Sequence, residues 1–69
     1  MPYYFVNANA QPGGEHEVHE KHGCPYAAKP ENQIDLGFFI TCIGAMQAAA
    51  GMFDKVDGCA RCCAACHRK

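Results

Sequence analysis

The stretch from Cys59 to His67 carries four thiols and an imidazole, at Cys59, Cys62, Cys63, Cys66 and His67. Thiolates at this density ligate a soft or borderline cation, pair as disulfides, or attack electrophiles. Cys59 and Cys62 form a Cys-x-x-Cys pair, one half of a tetrahedral zinc site. The three-residue step is expected to bring both sulfurs to one side of a first helical turn. Asp57-Gly58 precedes the pair, and the glycine is expected to let the backbone turn tightly before the first thiolate.

A closed site needs two further ligands, and the candidates lie upstream at His16, His19, His22 and Cys24. His19 with Cys24 is the expected second pair, with Glu20 to Gly23 folding into a tight loop and Pro25 stiffening the exit. His22 is the main rival to His19, and His16 ranks third. In a regular strand His16 and His19 point to opposite faces, so they do not serve one metal. The expected ligands are therefore His19, Cys24, Cys59 and Cys62, and the expected cofactor is Zn2+. Cys42 opens an apolar segment and reads as a small buried hydrophobe. Cys63, Cys66 and His67 stay open: a second metal, replacement of one of the four ligands, or a bond to Cys42.

A chain of 69 residues builds one domain and a thin core. Below about 70–80 residues such a core rarely supplies more than about 3–5 kcal/mol, so a staple is expected. Residues 1–69 therefore read as a single small metal-binding domain. The composition, 49% hydrophobic and 19% charged, is that of a globular protein. Net charge is −1, and Glu15, Glu17 and Glu20 crowd the first histidines. Only Arg61, Arg68 and Lys69 form a basic patch, so nucleic acid is a weak expectation. The first residues, Met1 to Asn7, carry no basic residue ahead of an apolar run, so no export signal is read there and the cytoplasm is expected. Thiols stay reduced in that compartment, which favours metal over disulfides. Leu36 to Phe53 is uncharged, yet its glycines and its bracketing Asp35 and Asp54 read as strand and helix and not as a membrane span.

Tyr3 to Val6 is aromatic and β-branched, a strand, and the Asn7 to Gly14 turn signals make the first twenty residues a hairpin. Pro25 and Pro30 mark a loop from Gly23 to about Asn32. Ile34, Leu36, Phe38 and Ile40 fall at period two, predicting a third strand with those four on its buried face. Thr41 is the expected N-cap of a helix whose stripe is Ile43, Met46, Ala50 and Phe53. Asp54 to Gly58 reads as a turn and Ala60 to Cys66 as a short second helix. The fold class is α+β: an N-terminal β-hairpin plus a third strand, one amphipathic helix and a short C-terminal helix, stapled by zinc.

The order Val18-His19, Cys24-Pro25-Tyr26, Asn32, Phe38-Phe39, Ala45, Ala49 and Gly58 to Cys62 resembles the Ada-like metal-binding domain over about residues 18–62. The resemblance implies a single zinc held at His19, Cys24, Cys59 and Cys62. Position 19 is histidine where the alkyl-accepting domain has a reactive cysteine, and the arginines that would grip DNA phosphate have no counterpart here. The whole chain also resembles a group of short bacterial Cys/His-rich proteins that open Tyr-Tyr-Phe-Val-Asn and end in a cysteine-rich tail.

The function expected is that of a small zinc-binding interaction module, the metal structural and the partner a protein, with the chain a monomer or small homo-oligomer and no membrane role. Enzymatic activity is not the favoured expectation. The alternative is a thiol-based redox or alkyl-accepting protein using Cys63 or Cys66 near Arg61 and Arg68.

Overall fold

The computed structural model describes residues 3–21 and 30–68. Strands β1 (Tyr3–Asn7), β2 (His16–Glu20), β3 (Gln33–Phe38) and β4 (Val56–Gly58) form one sheet in the order β3-β1-β2-β4. Helix α1 (Cys42–Ala50) packs on it, and 3₁₀ turns occupy Pro30–Asn32 and Ala64–Cys66. The α+β class and the β1–β2 hairpin are as expected. The strand count is not: a fourth strand, β4, lies where a turn was expected at Asp54 to Gly58.

Three residues suffice for β4 because its partner is already in place. It pairs parallel to β2, with His16 opposite Val56, Glu17 opposite Asp57 and Val18 opposite Gly58. A run of three residues holds too little alternation for its period to be read from sequence. The expected second helix over Ala60 to Cys66 is also shorter than predicted. An i to i+4 turn, closed by the Cys63 N–H donating to the Cys59 carbonyl at 2.9 Å, leads into the single 3₁₀ turn at Ala64–Cys66.

Strand β3 obeys period two only up to a bulge. β1 pairs with it antiparallel, Phe5 opposite Asp35 and Tyr4 opposite Gly37, which leaves Leu36 as an extra residue. Gly37 takes φ = +95°, a region that a side chain would disfavour. The Asp35 carboxylate accepts from the Gly37 N–H at 3.2 Å and from Lys21 Nζ at 3.2 Å, bracing the irregularity. The extra residue reverses the alternation beyond it. Ile34 and Leu36 pack toward the core, whereas Phe38 and Ile40 are exposed and Phe39 takes their expected place.

The helix is capped as expected, the Thr41 hydroxyl accepting from the Ile43 N–H at 3.3 Å. Its buried stripe is turned by one position. Cys42, Ala45 and Ala49 are buried, Met46 and Phe53 pack at the margin, and Ile43 is 61% exposed. Small residues let the helix lie close over Tyr4, Val6 and Val18. The bond that fixes this stripe is the disulfide between Cys42 and Cys66. Cys42 is thus buried, as expected, but also covalently bonded. That pairing with Cys66 was one of the three options open for the tail.

No helix among the described residues is long and apolar enough to cross a membrane.

Candidate metal centre

His19 is the fourth of the five residues of β2, with its side chain on the sheet face opposite α1, because strand alternation sends Val18 to the helix and His19 away from it. The imidazole stacks on Phe5, its partner across the β1–β2 ladder, with ring centroids 5.2 Å apart. Both residues are fully buried, and His19 is only 1% exposed. An imidazole so placed has few ways to move.

Cys59 follows β4 directly. Its N–H donates to the Val18 carbonyl at 2.9 Å, extending the β2–β4 contact by one residue. The turn from Cys59 to Cys63 then folds Cys62 back over the end of β2. There the Glu20 N–H donates to Cys62 Sγ at 3.2 Å, and the Arg61 N–H donates to Cys59 Sγ at 3.4 Å. Backbone N–H groups aimed at sulfur favour negative charge there, as a metal-bound thiolate requires.

Cys62 Sγ lies 3.8 Å from His19 Nδ1, and the donor atoms of His19, Cys59 and Cys62 all fall within 4.8 Å of one another. Bonds of about 2.0–2.1 Å to nitrogen and 2.3 Å to sulfur, at tetrahedral angles, put those two atoms about 3.6 Å apart. One borderline nitrogen and two soft sulfurs at this spacing could hold a metal ion. The His19 pKa is held below its ordinary value, chiefly by burial and against the pull of the Glu17 carboxylate. The neutral ring therefore offers a lone pair.

Of the four expected ligands the structure brings together His19, Cys59 and Cys62. Cys24 and the rival His22 lie outside the described residues. Gly58 serves differently from the expectation. It lies in a strand, not a tight turn, and a Cβ there would stand 2.8 Å from the Cys66 Cβ and 2.9 Å from the Cys63 carbonyl oxygen. Only glycine lets the tail cross that closely.

His16 is no part of the group. It stacks on Phe53 with centroids 3.6 Å apart, and its Nδ1 is 2.9 Å from the Asn7 carbonyl. His67 pins the tail, its Nδ1 lying 3.0 Å from the Gly58 carbonyl and 3.4 Å from Asp57 Oδ2. Buried Asp57 also accepts from the N–H groups of Gly58 and Arg68. Cys63 remains a thiol, 2% exposed, and burial pushes its pKa up.

One neighbour of the site was not singled out from the sequence. Glu17 Oε1 lies 3.1 Å from His19 Nε2. The spacing itself carries the signal, since residues 17 and 19 of a strand share a face.

Comparisons with protein-family models, with curated proteins and with solved structures returned no match.

Proposed function

We propose that this protein is a small zinc-binding module in which His19, Cys59 and Cys62, with Cys24 as fourth ligand, hold one structural zinc that ties the hairpin to the C-terminal tail. The observation that carries this is the convergence of one imidazole nitrogen and two sulfurs, from segments 43 residues apart in the case of His19 and Cys62, within 4.8 Å. Cys24 enters on the chemistry of closed sites, which take four protein ligands, and on the resemblance to the Ada-like domain. When bound, the metal cross-links; the residues need supply no open position for water. The experiment is native mass spectrometry with zinc titration. One zinc per chain, lost in a Cys24→Ser variant or bound far more weakly, is expected. Well under one zinc per chain, with thermal unfolding unmoved by chelator, would overturn the proposal.

The role as an interaction module has the support of exposed apolar side chains at one edge of the sheet. Tyr3 and Phe38 meet edge to face at 5.8 Å while both stay exposed, and Ile40 beside them is 84% exposed. Contiguous apolar surface of this kind suits a protein partner. Cytoplasmic residence belongs to the same proposal and makes a demand on it: the Cys42–Cys66 bond must then survive in a compartment where thiols are normally reduced. The redox or alkyl-accepting alternative finds little footing. Cys63 is buried with its pKa raised, the reverse of what a nucleophile needs, and a redox role for Cys66 would have to run through its bond to Cys42.

A further inference from the structure

We infer that Glu17 is the positioning residue of the metal centre: it holds the His19 ring by Nε2–H and thereby turns Nδ1 to the two sulfurs. The inference rests on the zinc proposal for its purpose and on independent geometry for its substance. A five-membered ring can present either nitrogen to a ligand, and which one is chosen depends on what the other is bonded to. Here Glu17 Oε1 sits 3.1 Å from Nε2, on the side away from Cys62, while Nδ1 faces Cys62 Sγ at 3.8 Å. A carboxylate only accepts, so Nε2 must carry the proton and Nδ1 the lone pair.

The carboxylate is itself held. Gln11 Nε2 donates to Glu17 Oε2 at 2.5 Å, and Gln11 is fixed in the β1–β2 connection, its N–H bonded to the Glu15 carbonyl and its carbonyl accepting from Gly14. Gln11, Glu17 and His19 thus form a relay from the hairpin loop to the ligand nitrogen. Glu17 is mostly sheltered, its side chain 20% exposed, so water competes weakly for Nε2. Partners of this kind typically change metal affinity by about 10- to 100-fold when removed.

The test compares wild type, Glu17→Ala, Glu17→Gln and Gln11→Ala, each as metal-free and zinc-titrated full chain. In the metal-free proteins the imidazole Nε2–H of His19 should be visible by 1H–15N correlation in wild type and Glu17→Gln, whose amide oxygen still accepts, and lost to water exchange in Glu17→Ala. Zinc affinity should fall about 10- to 100-fold in Glu17→Ala, recover substantially in Glu17→Gln, and fall by a smaller factor in Gln11→Ala. An unchanged Nε2–H signal in Glu17→Ala, or affinity within twofold of wild type, would overturn the inference. If the wild type takes up no zinc at all, the zinc proposal fails, while the imidazole proton still decides whether Glu17 holds the ring. Should Glu17→Ala fail to fold, Glu17→Met, of similar length and without an oxygen acceptor, takes its place with the same expected losses and the same overturning results.

Discussion

Phe5 and His19 stand opposite each other across the β1–β2 ladder, stacked at 5.2 Å and almost wholly buried. The His19 imidazole is thereby held in the buried centre of the ladder, lying against the phenyl face. Replacing Phe5 by alanine should cost about 3–5 kcal/mol in urea unfolding. The same variant should weaken zinc binding, because His19 would lose the surface that orients it. Stability lost with zinc affinity untouched would mean that Phe5 is core packing and nothing more.

The three thiols of the tail that are not in a disulfide should separate cleanly by function. Structural zinc contributes about 10–16 kcal/mol over four ligands, so losing one should cost about 3 kcal/mol, roughly 100-fold in affinity. Cys59→Ser and Cys62→Ser should show that loss in cobalt(II) absorption and zinc competition. Cys63→Ala should retain one equivalent. Equal losses in all three variants would place Cys63 among the ligands.

The disulfide closes a loop between positions 42 and 66, a separation of 24 residues. On the chain-entropy scale a loop of that size is worth about 3.5 kcal/mol. A Cys42→Ala/Cys66→Ala double variant should unfold at correspondingly lower denaturant, and thiol counting on the unfolded wild type should find two sulfurs unreactive until reductant is added.

Much of this fold was legible because its signals are local. Thr41 caps α1 as a threonine before an apolar run should, and Tyr3 to Val6 with the following turn residues make the hairpin. What stayed hidden depends on residues distant in sequence. The bulge at Gly37 inverts the faces of Phe38 and Ile40, and nothing within β3 announces it except a glycine. β4 is too short to show a period and exists because β2 offers it an edge. Within the site, Cys59-x-x-Cys62 was plain from spacing. His19 follows only from the need for a further ligand, and the sole sequence signal for Glu17 is its place two residues away on the same face of a strand.

Acid should destabilise the metal-free protein through His19. The folded ring has its pKa held below the ordinary 6.5, by burial first and despite Glu17. As pH falls through about 6.5 the unfolded chain takes up a proton that the folded one refuses, so stability is full above that value and drains away below it. Urea midpoints at pH 7.5 and 5.5 should therefore differ, and the difference should shrink in His19→Asn. An unchanged difference would move the effect to another histidine.

Gly58→Ala tests the close crossing of the tail. A methyl group there meets backbone or main-chain-proximal atoms of Cys63 and Cys66 at 2.8–2.9 Å, with no flexible side-chain end to yield. Overpacking of this kind typically costs about 1–3 kcal/mol, and displacement of Cys59 should lower cobalt(II) affinity in parallel. Wild-type midpoints in this variant would show that the tail can shift without harm.

The parallel pairing of β2 with β4 brings together segments made far apart in time. His19 emerges early, but its sulfur companions are made only after β3 and α1. A growing chain therefore offers a cation scattered donors, and no cage until residue 62 has been added. On the zinc proposal, the ion would join one donor made early to two made late, tying together segments 43 residues apart.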